Sequence, residues 1–283
     1  QKIQEMKTLR EAFKEKYPKY EKIVDDYGRA NDTDTVEWEN ITKLGLSNFV
    51  DYLQENNAQS SAKTYCAMFK SVLNTYSEEV DLPKDFMKIL SLKGCISESI
   101  WLNDEEIERI IDYIPNNSIE RIVRNQFVLE ATTGARHSDI LSLTSDNIID
   151  DSIVYVSQKT KIRAVIPLSP VVVRFLSDLE FVHKDICSNT FNTYIKQICH
   201  SCGINKRVKL YRHGMFVEGE KWEFASSHVG RKSFACNLYN RGVDILSISK
   251  MMGHSDISIT CSRYIICPPR VSDKALEYFK QFE

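Results

Sequence analysis

Apolar residues recur at helical spacing through the first third of this 283-residue chain. Leu46, Phe49, Val50 and Leu53 fall on one face of a helix, and Tyr65 begins a second run of the same kind. A period near 3.6 residues predicts amphipathic α-helices and not strands. The predicted helices cover residues 3–28, 44–56, 60–79 and 83–92. This pattern restricts the region to an all-helical fold.

The pattern changes after the fourth predicted helix. The Ser- and Gly-containing stretch LKGCISESI, residues 92–100, separates it from WLNDEEIERIIDYI, where Asn103 or Asp104 can cap a new helix. A chain of 283 residues is long enough for two domains. We therefore predict a helical domain over residues 1–95 and a second domain over residues 96–283.

The second domain mixes helices with a hairpin. Ile153–Val156 and Ala164–Leu168 are largely apolar with several β-branched residues, and the polar run QKTKIR lies between them, which predicts a β-hairpin with a basic tip. Helices are predicted near residues 104–114, 118–133, 170–178, 189–202, 226–240, 244–252 and 270–281. The expected fold class is therefore mainly α with a small β-sheet or hairpin (α+β).

The composition, with 42% hydrophobic and 27% charged residues, is that of an ordinary globular protein. No apolar stretch is long enough for a membrane span, and the polar N-terminus lacks the apolar segment of a signal peptide. We therefore expect a cytoplasmic protein without a membrane partner, whose eight cysteines stay reduced. Cys199 and Cys202 form a CHSC unit without a second ligand pair at suitable spacing, so we expect no metal site.

Charge is distributed unevenly along the chain. The net charge of −2 gives by itself no electrostatic argument for nucleic-acid binding. Between residues 196 and 232, however, eight basic side chains stand against three acidic ones. A solvated charged face explains this excess, and composition alone gives no reason to prefer a nucleic-acid-binding surface.

Two segments carry cations in positions from which they could reach a ligand. In TTGARHSDILSL, Arg136 opens a helix, where its donors can meet an anion, and Asp139 lies one turn further on. Lys159 stands in the tip QKTK of the predicted hairpin. Each pattern taken alone is also that of a surface ion pair or a soluble turn.

Two further segments carry histidines. In SSHVGRKSFA, His228 and Arg231 are three residues apart and share a helix face. In MMGHSDISITCSRYI, a Gly-His break at His254 is followed ten residues later by Tyr264. Taken alone, these segments are also compatible with purely structural roles.

In this order, an arginine, a hairpin lysine, H-x-x-R, Gly-His and a tyrosine, the chain resembles the tyrosine recombinase (phage integrase) family, and within it the integrase of a mobile genetic element. The resemblance spans roughly residues 100–270. It implies that residues 1–95 are a core-type DNA-binding domain, that residues 96–283 are the catalytic domain, and that the two form a C-shaped clamp on DNA. The implied catalytic set is Arg136, Lys159, His228, Arg231, His254 and Tyr264, with Asp139 in a supporting role.

The implied reaction is metal- and ATP-independent cleavage and rejoining of DNA strands, with no cofactor. A 3′-phosphotyrosine at Tyr264 would keep the energy of the phosphodiester for rejoining. Arg136 and Arg231 would stabilise the charge that develops on the phosphate. Lys159 would protonate the departing 5′ oxygen, and His228 would take the proton of the tyrosine.

One spacing departs from the family pattern. Tyr264 follows His254, the residue implied to hydrogen-bond the phosphate or position the tyrosine, by ten positions where the family usually has nine. The alternative function is therefore a catalytically inactive, sequence-specific DNA-binding relative. A chromosome-dimer resolvase, an invertase and a type IB topoisomerase would share most of these residues. A metal-dependent nuclease or zinc-binding adaptor would need ligands that the sequence does not cluster.

The implied partner is double-stranded DNA at recombination sites in the bacterial cytoplasm, with nucleoid association. The residues expected to bind DNA are Lys161, Arg163, Lys206, Arg207, Lys209, Arg212 and Lys232. The tail SDKALEYFKQF, residues 272–282, has helical spacing and either packs on its own domain or docks on a neighbouring protomer of a homotetramer on two paired sites. Host or element-encoded accessory factors are further candidate partners, and the sequence leaves open whether an arm-binding domain lies upstream of Gln1.

Overall fold

A computed structural model describes residues 6–94, 97–180, 185–212, 214–267 and 278–280. Its backbone divides into two units, residues 1–97 with 211–215, and residues 98–210 with 216–283. The fold is mainly helical with two small sheets, which confirms the predicted fold class. Within the described ranges, no helix is both long and apolar enough to cross a membrane.

The first unit is a set of short helices around an aromatic core. Its elements are α1 (Leu9–Lys16), α2 (Lys22–Ala30), a 3-10 turn (Trp38–Asn40), α3 (Lys43–Asn56), α4 (Gln59–Thr75) and α5 (Phe86–Ile89). The ring of Phe69 stacks on Tyr27 at 5.3 Å between centroids and lies 4.8 Å from Phe49. All three rings are fully buried. Burial of such large side chains is the main stabilising contribution in this unit.

The single helix predicted over residues 3–28 is wrong, because two helices occupy this stretch. The chain leaves α1 at Tyr17, just before Pro18, and α2 starts at Lys22. Proline lacks the N–H that a helix interior requires, so the break falls there. The predicted helix over 83–92 is present only as the single turn α5.

The second unit is organised around one long helix. Its elements, apart from the strand residues 211, 212 and 215 that group with the first unit, are α6 (Asp104–Asp112), α7 (Ser118–Thr133), α8 (His137–Ile140), a 3-10 turn (Ser145–Asn147), β1 (Ile148–Ile149), β2 (Ser152–Val156), β3 (Arg163–Pro167), α9 (Pro170–Glu180), α10 (Ser188–Ser201), β4 (Arg207–Arg212), β5 (Met215–Glu220), a 3-10 turn (Lys221–Phe224), α11 (Ser227–Asn240), α12 (Ile245–Met251) and α13 (Ile257–Arg263). α7 packs against α9, α10 and α11. It is buried on nearly every side, as a central helix must be.

The predicted hairpin is confirmed and forms part of an antiparallel sheet in the order β1-β2-β3. Ile153 pairs with Ile166 and Tyr155 with Ala164, and all four side chains are buried on one face. This alternation with exposed neighbours is the period of two that a half-buried strand requires.

A second sheet, β4 with β5, was missing from the sequence prediction. Its signal is the alternation of Val208 and Leu210 before the turn at Gly214, with charged residues between them. The predicted helix over residues 270–281 lies outside the described residues except for 278–280, which are helical.

Candidate active site

Arg136 extends from a turn that α7 makes as it ends. Gly134 closes α7 in the left-handed conformation, with φ 66°, and its N–H donates to the carbonyl of Glu130. A Cβ at Gly134 would lie 2.4 Å from a ring carbon of Phe234, so glycine is required here. Arg136 then caps α8, and its Nη1 donates to Ser157 Oγ at 2.7 Å.

Asp139 joins Arg136 to the hairpin. Its carboxylate is 1% exposed and lies 3.9 Å from Arg136 Nη1. It accepts hydrogen bonds from Ser157 Oγ and from the backbone N–H of Gln158, each at 2.9 Å. Because these bonds are charge-assisted and buried, they hold the start of the hairpin tip against the arginine.

Lys159 stands exposed at the hairpin tip. The neighbouring Thr160 donates from Oγ1 to the carbonyl of Gly253 at 2.9 Å, and Lys161 turns the chain back with φ 57°. The tip is therefore attached on one side to the Arg136 segment and on the other to the Gly-His turn. Its position places the charge of Lys159 where it acts on His228.

Arg231 is buried, with 1% exposure, and connects three segments of the unit. Its Nη1 donates to the carbonyl of Gly134, and its Nη2 donates at 2.7 Å both to the carbonyl of Met252 and to Nε2 of His254. On α11, His228 lies one turn before it. The guanidinium is thereby fixed between the end of α7 and the Gly-His turn.

The hydrogen bonds of His254 define its tautomer. Arginine only donates, so Nε2 accepts from Arg231 and Nδ1 carries the proton, which it donates to Thr260 Oγ1 at 2.8 Å. Burial, followed by the charges of Arg231 and Arg136, lowers the pKa of His254 to about 3. The ring is therefore neutral at pH 7.

His228 is also neutral at pH 7. Burial lowers its pKa below the usual value, and neighbouring positive charges lower it further. These charges belong to Lys232, Arg231, Lys159 and His137. Unlike His254, which is buried, His228 has an exposed side chain at the start of α11.

Tyr264 lies against both Arg231 and His254. Its ring centroid is 5.1 Å from Cζ of Arg231 and 4.8 Å from the ring centroid of His254. Tyr264 ends α13, where its N–H donates to the carbonyl of Thr260 at 3.1 Å, and its own carbonyl accepts from Cys236 Sγ at 3.2 Å. The ten-residue spacing therefore does not separate Tyr264 from the Gly-His turn, because α13 lies between them in the chain and ends with the Tyr264 ring next to His254.

The family follows from a comparison with known proteins. A model of the phage integrase family matches residues 100–267. This chain belongs to the phage integrase family. Tyrosine recombinase XerD of Vibrio vulnificus (strain YJ016) is 25% identical over 244 residues, covering 78% of this chain and 74% of the relative. XerD of Rickettsia bellii (strain RML369-C) is 26% identical over 249 residues, covering 78% of each.

Solved integrase structures share the fold. A lambda integrase dimer bound to a COC′ core site superposes with a TM-score of 0.65 at 15% identity, covering 93% of this chain and 96% of that one. The integrase of transposon Tn1549 in complex with transposon right end DNA gives 0.60 at 12% identity, covering 98% and 99%. The predicted membership among tyrosine site-specific recombinases is confirmed, and the helical first unit and the catalytic region together have the integrase fold.

The structure brings Arg136, Arg231, His254 and Tyr264 together, with Asp139 behind Arg136 and Lys159 and His228 at the edge. The residues expected to bind DNA lie instead on three elements. Lys161 and Arg163 belong to the β2–β3 hairpin, Lys206, Arg207, Lys209 and Arg212 to the start and length of β4, and Lys232 to α11. Of these, Lys209 pairs with Glu218 at 2.9 Å on the protein surface.

The CHSC cysteines are part of the hydrophobic core. Cys199 is fully buried at the end of α10, and burial raises its pKa. Cys202 donates to the carbonyl of Arg109 at 3.5 Å. In the ranges that the structure describes, no group of three His, Cys, Asp or Glu side chains is placed to hold a metal ion.

Sequence reasoning did not identify Glu130 and His137 as members of this region. Glu130 is 1% exposed on α7, and its Oε1 lies 2.6 Å from Nδ1 of His137. A carboxylate inside the apolar run FVLEA, with a histidine seven residues later next to Arg136, is the signal that could have found them.

Proposed function

We propose that this integrase cleaves and rejoins DNA strands through a 3′-phosphotyrosine at Tyr264. The observation that carries the proposal is the placement of the Tyr264 ring against the guanidinium of Arg231 and the ring of His254. A phenol is a reversible nucleophile toward phosphate, and the resulting ester stores the energy for rejoining. The remaining side chains supply charge and proton transfer.

Arg136 and Arg231 are proposed to bind the non-bridging oxygens of the scissile phosphate. Arg231 is held by two carbonyls and a histidine, and Arg136 by Ser157 and Asp139. Donors fixed in advance need no reorganisation when charge develops on the phosphate. Their rigid support is thus the physical basis for transition-state stabilisation.

The two histidines are assigned different roles. Nε2 of His254 is occupied by Arg231 and its Nδ1–H by Thr260, so His254 positions the arginine and the tyrosine. His228 is neutral at pH 7 because its pKa is lowered, and it is proposed to accept the proton of Tyr264. Lys159, on the attached hairpin tip, is proposed to protonate the leaving 5′ oxygen.

The biological reaction proposed is integration and excision of a mobile element, with residues 1–95 as the core-type DNA-binding domain and residues 96–283 as the catalytic domain. Integrases of a phage and a transposon share the fold, and one of the solved relatives is a lambda integrase tetramer bound to a Holliday junction. We propose a homotetramer on two paired DNA sites for this chain as well. Recovery of two different DNA sites would support integration, whereas two identical sites would favour resolution by an XerD-like enzyme.

Covalent trapping tests the chemistry. The wild type is first used to select bound DNA from a pool of random duplexes, and the selected DNA is sequenced. The selected duplex is then synthesised with a nick near the candidate cleavage position and incubated with enzyme and EDTA. A retarded band on a denaturing gel, absent with Tyr264→Phe, and a DNA-linked peptide that maps to Tyr264 are expected. A band that persists in the variant would move the nucleophile to another residue.

The second candidate, a catalytically inactive DNA-binding relative, is separated by the same gel. Tight binding that weakens steeply with salt, without a covalent band for either protein, would support it. The placement of Tyr264 beside Arg231 favours the active enzyme.

A further inference from the structure

Glu130 is a buried carboxylate that the proposed chemistry does not use. It is 1% exposed in the middle of α7's apolar face, and within the described residues its Oε2 is buried without a hydrogen-bond partner. A buried acid of this kind lowers stability unless it is compensated. Its other oxygen, Oε1, is 2.6 Å from Nδ1 of His137.

Glu130 also touches the helix that carries the H-x-x-R motif. A Cβ built on Gly230 would lie 2.9 Å from Cβ of Glu130 and 3.1 Å from its Oε2, so α11 approaches α7 at this side chain. Gly230 directly precedes Arg231. The contact of Glu130 with Gly230 therefore helps to fix the position of the α11 backbone from which the Arg231 side chain extends.

His137 provides the second connection. It follows Arg136 in the chain, and its ring packs edge-on against Phe191, with centroids 4.6 Å apart and an interplanar angle of 66°. A ring held by Phe191 on one side and by Glu130 on the other fixes the backbone from which Arg136 extends.

We propose that Glu130 and His137 form a positioning pair for the recombinase reaction, which holds Arg136 and Arg231 in register with each other and sets the electrostatic potential at the scissile phosphate. This inference rests on the proposed function. The pair touches neither DNA nor the tyrosine and acts through the two arginines. The groups that act electrostatically on Glu130 are His137 from α8 and the guanidinium of Arg231 from α11.

Protonation of the pair changes its charge in the physiological range. Burial raises the pKa of Glu130 to about 7, against the opposing effects of His137 and Arg231. Above this pH Glu130 is a carboxylate that accepts a hydrogen bond from Nδ1–H of His137. Below it Glu130 is protonated and loses its negative charge. Cleavage should therefore become faster as the pH rises through 7, because the charged pair holds the arginines more firmly.

The test compares Glu130→Gln with Glu120→Gln. Glu120 is a second buried carboxylate of α7, 8% exposed, and accepts from Tyr113 and Asn116. It lies ten residues earlier on the helix, which is about 15 Å away along the axis. Both variants replace a buried carboxyl group of the same helix with an amide, but only Glu130 is adjacent to the segments that carry the two arginines.

The measurement is single-turnover covalent complex formation on the nicked duplex recovered by selection, from pH 5.5 to 8.5. We expect the wild type and Glu120→Gln to show a rate limb with a pKa near 7. Glu130→Gln should be about tenfold slower at pH 8 and lack this limb, with unchanged DNA affinity. His137→Gln, which removes the titratable ring, should show the same loss if Glu130→Gln does not fold.

A measurement without DNA separates this inference from the proposed function. The side-chain carboxyl NMR signal of Glu130, assigned by its loss in Glu130→Gln, should titrate near pH 7 in the wild type and in Glu120→Gln, and at a higher pH in His137→Gln, because His137 lowers the pKa of this carboxyl. Titration at the same pH in all of these proteins would overturn the proposal that Glu130 and His137 act as a pair. The same holds if Glu130→Gln cleaves at the wild-type rate at every pH. A wild type that forms no covalent complex would overturn the proposed function, and the NMR comparison then decides the pair by itself.

Discussion

The interiors of the two units have opposite chemical character. In residues 6–94 the fully buried side chains are apolar or aromatic, as with Phe49 and Phe69, and none of the described ones there carries a charge. The second unit buries Glu130, Asp139 and Arg231 to 1% exposure each, together with several uncharged polar groups. The first interior is what burial of apolar area alone would produce. The second bears a desolvation cost that only specific partners offset.

The difference indicates where function lies in the molecule. Arg231 and Asp139 are held by groups distant in sequence, Arg231 by the carbonyls of Gly134 and Met252 and Asp139 by Ser157. Such an arrangement stabilises one geometry of the site and makes it sensitive to single substitutions. The aromatic core of the first unit tolerates small changes of shape but not loss of volume.

The largest expected effect is that of Arg231→Ala. The substitution leaves the carbonyls of Gly134 and Met252 and Nε2 of His254 without their donor. We expect covalent complex formation to slow by about a thousandfold or more and the free energy of unfolding to fall by about 3 kcal/mol. Arg241→Ala, which removes an exposed arginine paired with Asp104 at the end of α11, is the control. Cleavage within tenfold of wild type would show that this buried arginine is only structural.

The first unit should respond in stability alone. Phe69→Ala opens a cavity among Phe13, Tyr27 and Phe49, and we expect a loss of about 3–5 kcal/mol in the free energy of unfolding. Urea unfolding followed by fluorescence measures it.

The control for Phe69→Ala is Met87→Ala, which truncates a half-exposed side chain of the same unit and should cost less than about 1 kcal/mol. At saturating DNA, and below the unfolding transition, Phe69→Ala should form the covalent complex at nearly the wild-type rate. If covalent complex formation by Phe69→Ala were as slow as that by Arg231→Ala, the interior of the first unit would affect activity as strongly as that of the second, contrary to this comparison.

Sequence reasoning worked well where one local pattern decides the structure. The spacing of Leu46, Phe49 and Leu53 correctly indicated α3, and the two β-branched runs indicated the β2–β3 hairpin. It failed at Pro18, where a single proline ends a helix although the helical spacing of apolar residues continues. It also missed β4, a short strand in which charged residues alternate with apolar ones.

For the site, order along the chain predicted the assembly of Arg136, Arg231, His254 and Tyr264, whereas the supporting contacts were out of reach. Nothing local shows that Asp139 accepts from Ser157, or that Glu130 reaches His137. These bonds join residues whose proximity is produced by the packing of α7, α8 and the hairpin. Tertiary contacts of this kind have no period in the sequence.

The pH dependence of stability provides a smaller test of the polar interior. The pKa of His254 is lowered to about 3 in the folded protein, so its unfolded form binds a proton first as the pH falls. The stability that neutral His254 contributes is complete above about pH 6.5, and is lost progressively as the pH falls toward the folded-state value.

Between pH 7 and 5 the free energy of unfolding of the wild type should therefore fall by about 2 kcal/mol more than that of His254→Gln. The Gln amide does not titrate, and it offers one acceptor for Arg231 and one donor for Thr260. Urea unfolding at the two pH values measures this difference. Glu130, with a raised pKa, shifts stability in the opposite direction but is present in both proteins and cancels in the comparison. Equal losses would mean that His254 is protonated in the folded state as readily as in the unfolded chain.

The smallest expected effect concerns the surface of the second unit. Lys209 pairs with Glu218 at 2.9 Å, and the two side chains are 58% and 53% exposed, so Lys209→Gln should change the free energy of unfolding by less than about 1 kcal/mol. If Lys209 neutralises a DNA phosphate, the same variant should bind the selected duplex severalfold more weakly and reduce the slope of log affinity against log salt by about one. Glu218→Gln removes the ion pair but keeps the cation, so its salt slope should stay that of the wild type. A slope reduced equally in both variants would instead assign the effect to the conformation of the β4–β5 sheet, whereas an unchanged slope in Lys209→Gln would remove this residue from the DNA-binding surface.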